Sequence, residues 1–190
     1  MANMKILFLV GSLRRESLNG AAAASAAEML PGGVEPTWFG RLDQLPHFDP
    51  DVEETNLPEA AQRLRGMVEE AAGVVICCPE YAHGASGVMK MTLEWLVGGT
   101  EMAAKPTMLV NVSTSNGGGL RAQRWLEETL TVMGVDVRPE RVSVAAAARK
   151  VSGGRLVDEA ALADLRGALD GFLTYVGSLG VGKDAVDLLY

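Results

Sequence analysis

Three runs in this chain are apolar almost without interruption over the length of a β-strand: residues 4–10, 73–78 and 107–112. A strand with one wet face alternates apolar and polar residues, whereas a run without that alternation must be covered on both faces. Between these runs lie segments with helical period. Ser17 to Met29 is rich in Ala and stops at Pro31-Gly32-Gly33. Glu59 to Ala72 repeats apolar residues at Leu64, Val68 and Ala71, with Gly73 as its stop, and Ser86 to Val97 ends at Gly98-Gly99. Leu120 to Met133 is stopped by Gly134, and Asp158 to Val176 is the last periodic segment. Val34 to Phe39 and Val135 to Val144 supply two further strands, the latter with Pro139 at a bend or an edge. Arg41 to Pro58, with Pro46, Pro50 and Pro58, reads as a long loop holding at most a short helical turn. Five strands alternating with helices predict an α/β fold, a parallel sheet covered on both faces.

At 190 residues the expected organisation is one domain over residues 1–176, followed by a tail over 177–190 without a strong period. In an open sheet of this kind, ligands bind beyond the carboxyl ends of the strands, where strand order reverses. The loops after the first, third and fourth strands are therefore where function is expected.

Charge and cysteine usage exclude several classes. The net charge of −7 argues against a nucleic-acid binder, which needs a basic face to displace counterions. Cys77 and Cys78 are the only cysteines, and neighbours on a strand point to opposite faces, so they suit neither a disulfide nor a metal site. They read as two buried thiols in a reducing cytoplasm. The run Ile6 to Val10 is too short for a signal peptide, and no segment reaches the roughly 20 apolar residues of a membrane span. A cytoplasmic protein without a membrane or nucleic-acid partner is expected.

The first loop, Gly11-Ser12-Leu13-Arg14-Arg15-Glu16-Ser17-Leu18-Asn19, runs into the first helix. Ser17 suits an N-cap, and the helix start offers unpaired N–H groups and a positive dipole end. Ser12, Ser17 and Asn19 add polar donors, and Arg14 a guanidinium that can grip two oxygens of an anion. The loop has neither the G-x-x-x-x-G-K-[ST] of a P-loop nor the G-x-G-x-x-G that admits a pyrophosphate. Hydroxyls and an arginine in place of glycines favour the terminal phosphate of a mononucleotide.

The third loop, Pro79-Glu80-Tyr81-Ala82-His83-Gly84, precedes Gly87-Val88-Met89-Lys90 and the pair Glu94-Trp95, and the fourth is Ser113 to Gly119. Together with Gly11 to Asn19, these blocks resemble the NADPH-dependent FMN reductase family, which includes bacterial quinone, chromate and azo reductases. The resemblance covers about residues 5–144. It implies a flavodoxin-like three-layer sandwich with a five-stranded parallel sheet of order 2-1-3-4-5. It also implies FMN as cofactor, NADPH or NADH as co-substrate, and a small-molecule electron acceptor: a quinone, azo compound, metal oxyanion or flavin. By that resemblance Ser12, Arg14, Ser17, Leu18 and Asn19 hold the FMN phosphate. Pro79, Glu80, Tyr81, Ala82, His83 and Gly84 line the isoalloxazine edge, largely through backbone groups. Ser113, Asn116, Gly117 and Gly118 close the other side. No metal site and no acid–base residue is expected, because the flavin carries the chemistry.

The chain departs from the family pattern at four positions. Ala82 stands where Asn is usual, Gly84 where Ser is, Ser86 where Pro is, and Met91 where Asn is. Loss of two neutral hydrogen bonds to the ring would weaken flavin binding by roughly ten- to a hundredfold. Exposed loop histidines without a chemical role are expected at His47 and His83. Met89, Met91, Trp95 and Leu96 form a stripe along one predicted helix, read as core or as the interface of a homodimer or homotetramer, since family members pair through this helix. Two alternatives stand beside the reductase: a flavodoxin-type electron carrier with no nicotinamide reaction of its own, and a flavin-free protein of regulation or assembly.

Overall fold

The computed structural model describes the backbone of residues 4–186 and the side chains of residues 4–179. The first apolar run is strand β1, Met4–Val10, followed by helix α1, Leu18–Glu28, and strand β2, Val34–Trp38. The Pro-rich stretch holds a 3-10 turn at Leu42–Gln44 and a short helix α2, Pro50–Thr55. Helix α3, Glu59–Glu70, leads to β3, Gly73–Cys77, and then to a tight hairpin of β4, Glu80–Tyr81, and β5, Gly84–Ala85. Helix α4, Gly87–Val97, strand β6, Pro106–Val112, helix α5, Leu120–Val132, and strand β7, Asp136–Val144, complete the alternation. A second hairpin, β8, Val151–Ser152, and β9, Arg155–Leu156, precedes helix α6, Glu159–Val186.

The main sheet has the order β2-β1-β3-β6-β7, all parallel, which is 2-1-3-4-5 for its five strands. Alternate residues of each central strand enter separate cores. Leu7, Leu9, Val74, Ile76 and Leu109 face α3, α4 and α5. Ile6, Phe8, Val75, Cys77, Met108 and Val110 face α1 and α6. Each such side chain contributes about 1.5–3 kcal/mol by leaving water. Cys77 and Cys78 consequently lie on opposite sides of the sheet, both as free thiols. Burial pushes the Cys78 thiol up to about 11, and that of the more deeply buried Cys77 higher still.

Several local expectations are corrected. Gly73 is not the stop of α3, which ends at Glu70; it opens β3 because a Cβ there would lie 2.7 Å from Cζ of Phe172 on α6. The last helix does not end at Val176 but continues through the supposed tail to Val186, and residues 187–190 lie outside the described residues. Pro139 does mark an irregular edge. Between Thr107 and Leu109 the partner on β7 jumps from Val137 to Arg141, so β7 bulges around the proline, which has no N–H to give to a ladder.

The stripe on α4 is core: Met89, Trp95 and Leu96 are buried, and Met91 packs partly against them. Trp95 also holds the Pro-rich loop. Its indole N–H donates to Pro46 O at 2.8 Å, and Phe48 meets its ring edge-on at 5.0 Å between centroids. Arg65 fastens the same corner by donating to Trp95 O at 2.9 Å and pairing with Glu53. Trp95→Phe keeps the ring but leaves Pro46 O unpaired. We expect a loss of about 1–2 kcal/mol in urea unfolding, with faster proteolysis in residues 46–58. An unchanged midpoint would show that the loop does not depend on this bond.

Candidate functional site

The reversal of strand order falls between β1 and β3, and the carboxyl ends of β1, β3 and β6 meet there. A cleft of about 110 Å³ opens at this rim. Ser12, Arg14, Ser17, Leu18 and Asn19 contribute from the first loop, Pro79, Glu80 and Tyr81 from the third, and Ser113 from the fourth. Val112 and Thr114 line it too; both went unassigned from sequence, although they adjoin an assigned residue. Ala82, His83, Gly84, Asn116, Gly117 and Gly118 do not line this cleft; they lie in the two loops that flank it.

The first loop presents donors without partners among the described residues. Ser17 is the N-cap of α1, its Oγ accepting from Gly20 N at 3.0 Å. Ser12, Arg14 and Arg15 make no hydrogen bond or ion pair among the described residues, and no backbone N–H from Ser12 to Glu16 donates to one. Asn19 behaves differently from the expectation of a ligand side chain. It is buried, its Nδ2 donates to Val112 O at 3.0 Å, and its Oδ1 accepts from Val112 N at 3.0 Å. That reciprocal pair welds the start of α1 to the end of β6, so Asn19 fixes the separation of two binding loops.

The third loop is the β4–β5 hairpin. Its two central residues, Ala82 and His83, both have positive φ, at 49° and 64°. A two-residue hairpin with positive φ at both positions is of the type for which Asn-Gly is favoured. An L-residue there costs about 1–2 kcal/mol unless a short polar side chain or glycine relieves it. The asparagine usual at position 82 therefore has a conformational reason, and its replacement by alanine puts strain in the turn rather than simply removing a ligand contact. Gly84 needs no special conformation, and a Cβ there would meet nothing within 4 Å. Ser86, where proline is usual, is the N-cap of α4, accepting from Met89 N at 3.3 Å.

The carboxylate of Glu80 has a partner of its own at the start of α5. It accepts from Arg121 N at 3.1 Å, supplying from another loop the cap that Gly119 cannot give α5. The guanidinium of Arg121 lies 2.9 Å from His83 Nδ1 and 3.5 Å from Glu80 Oε1. His83 is thus exposed yet joined through Arg121 to Glu80, while Tyr81 stands exposed at the cleft.

The fourth loop is held from beneath. Ser143 Oγ donates to Gly118 O at 2.8 Å, and Ser113 Oγ accepts from Ser115 N at 3.1 Å. Gly119 has φ of 76°, and a Cβ on it would lie 2.2 Å from Asn111 Oδ1. Asn111 is buried and donates to Cys78 O at 2.6 Å, so it bridges the ends of β6 and β3. Exposed Asn116 and Gly117 leave backbone open at the loop's tip. Sequence reasoning missed Asn111 and Ser143 because one hydrogen-bonding residue in a strand carries no periodic signal. Among the described residues there is no cluster of three or more His, Cys, Asp or Glu side chains able to hold a metal.

The turn strain gives a direct test. Ala82→Asn, which tolerates positive φ, should raise stability by about 1 kcal/mol in urea unfolding. A neutral or destabilising result would show that the turn carries no such strain.

The donors present fit a flavin mononucleotide: an unpaired guanidinium and hydroxyl at a capped helix start for the phosphate, and small residues with bare backbone on the two flanking loops for a flat ring. Comparison with known proteins agrees. The chain is 29% identical over 180 residues to a quinone reductase of Escherichia coli, spanning 91% of this chain and 95% of that protein. It is 29% identical over 163 residues to an NAD(P)H-dependent FMN reductase of Pseudomonas aeruginosa, spanning 84% and 88%. The flavoenzyme NAD(P)H:(acceptor) oxidoreductase FerB of Paracoccus denitrificans superposes with a TM-score of 0.80 at 25% identity, covering 92% of this chain and 98% of that one. The model of the NADPH-dependent FMN reductases matches residues 4–150, and the chain belongs to that family.

Proposed function

We propose that this chain is an FMN-dependent NAD(P)H oxidoreductase that passes electrons from NADPH or NADH to a small acceptor of the quinone or azo class. The observation that carries the reading is the rim cleft itself, where unpaired Ser12 and Arg14 stand beside the capped start of α1. Ser12, Arg14 and Ser17 would hold the phosphate. Backbone of Pro79 to Gly84, with Tyr81, would line one edge of the ring, and Ser113 with Asn116 to Gly118 the other. FMN held there would supply the redox chemistry between the nicotinamide and the acceptor. The protein's share is positional. Asn19, Asn111, Glu80 and Ser143 lock the three loops.

The purified chain should show a flavin spectrum once FMN is added, and should oxidise NADPH when a quinone is present. A protein that takes up no FMN and oxidises no NADPH would end the reading. Direct reduction by NADPH in stopped-flow mixing separates the enzyme from a mere electron carrier. Arg14→Ala removes a charge-assisted contact to the phosphate, so the Kd for FMN should rise about ten- to a hundredfold with the fold intact. An unchanged Kd would place the phosphate elsewhere.

The same reading extends to one domain working in the cytoplasm as a homodimer or homotetramer. Two buried, unpaired cysteines support a reducing compartment. No helix of the described residues is long and apolar enough to cross a membrane. A second copy of the chain is the occupant proposed for an apolar groove of about 390 Å³ between α4 and α5, lined by Leu93, Val97, Val132 and Met133. Val97 is 56% exposed there and Val132 is 90% exposed. Val132→Glu should shift the mass measured by light scattering towards the monomer, and an unchanged mass would move the interface elsewhere.

A further inference from the structure

A larger groove of about 930 Å³ lies beside the rim cleft, and Ser12, Arg14, Ser17, Leu18 and Thr114 line both. One wall of the groove is α1, presenting Ala21 and Ala24; the other is the β8–β9 hairpin, presenting Val151, Ser152 and Arg155. The hairpin was not read from the sequence, although Gly153-Gly154 between two short runs is a turn signal. Both glycines have positive φ, 55° and 74°, and form its tip.

This wall is built in. Ser25 Oγ on α1 accepts from Leu156 N at 3.0 Å, and Arg155 pairs with Glu28 on the same helix, Nε to Oε1 at 2.7 Å. Val157 N donates to Lys150 O at 2.8 Å and closes the hairpin's base. Arg14 and Arg15 project here without partners among the described residues, against one acid, Glu16. In a chain of net charge −7, the groove reverses the sign of the molecule locally.

We propose that this groove takes the adenosine monophosphate half of FAD, so that the site accepts FAD as well as FMN. The inference rests on the flavin reading above. Under that reading the phosphate on Ser12, Arg14 and Ser17 is the end of FMN farthest from the ring. FAD differs from FMN by an adenosine monophosphate joined at that same phosphate, and the groove starts from the same three residues. In FAD each of the two phosphates carries one negative charge, so one charge moves out beyond the shared phosphate, and Arg15 is the next guanidinium along the loop without a partner among the described residues. Ala24 and Val151 offer apolar surface to the adenine, while Ser152 and the bare backbone of the glycine tip offer polar groups to its edge or its ribose.

Apoprotein of the full chain is titrated separately with FMN and with chromatographically purified FAD, and the bound flavin is identified after release. FAD should bind with a Kd within about tenfold of that for FMN. Arg15→Ala should weaken FAD about tenfold and FMN less than about twofold, and Ala24→Trp, which fills the groove, should exclude FAD and keep FMN. Retained FMN binding shows that each variant is folded. The proposal is overturned if FMN binds and FAD does not, or if either variant weakens both flavins equally. It is also overturned if these variants weaken NADP⁺ and leave FAD untouched, for then the groove belongs to the nicotinamide nucleotide. Failure of the unmodified chain to bind either flavin would sink the flavin reading itself.

Discussion

Burial of both faces of β1, β3 and β6 is the constraint on which the rest of this protein depends. Each strand sends alternate side chains into two separate cores, and neither core can form unless helices cover both faces. Parallel strands in that arrangement need crossovers, so every connection returns to the same edge of the sheet. The consequence is functional as well as structural. Three loops that are far apart in sequence emerge side by side at one rim.

How those loops are held explains why the rim can bind. The residues that fix them use side chain to backbone bonds directed into the protein: Asn19 to Val112, Asn111 to Cys78, Ser143 to Gly118, and Glu80 to Arg121. Each satisfies a polar group that would otherwise be costly to leave unpaired near a core. With the loops fixed from behind, Ser12 and Arg14 have no structural work and remain available to a ligand. A site built this way is pre-organised, and the ordering entropy of its loops is already paid for by folding.

The position-82 departure shows that a residue pattern can have a conformational reason beside a ligand one. Asparagine after tyrosine suggests a hydrogen-bonding side chain on the ring. The backbone also shows two consecutive left-handed residues, a conformation that asparagine tolerates and alanine resists. Ser86 is similar: the missing proline is replaced by a hydroxyl that caps α4. The glycines divide in the same way. Gly119 is required by the closeness of Asn111 and by its φ, whereas Gly84 stands in open space.

The sequence by itself determined the alternation of strands and helices, the doubly covered sheet, and the rim at which chemistry had to lie. Those follow from period and apolar continuity, which are local properties of the chain. It also put a capping serine, a second hydroxyl and an arginine within one short loop at that rim. Tertiary structure alone decided that Asn19 faces Val112, that Glu80 caps a helix from another loop, that the α4 stripe is core, and that a groove beside the β8–β9 hairpin shares a wall with the cleft. Each of these depends on a partner distant in sequence, Asn19 and Val112 being 93 positions apart. No local pattern encodes which of several polar side chains will find such a partner; the packing of the two cores settles it.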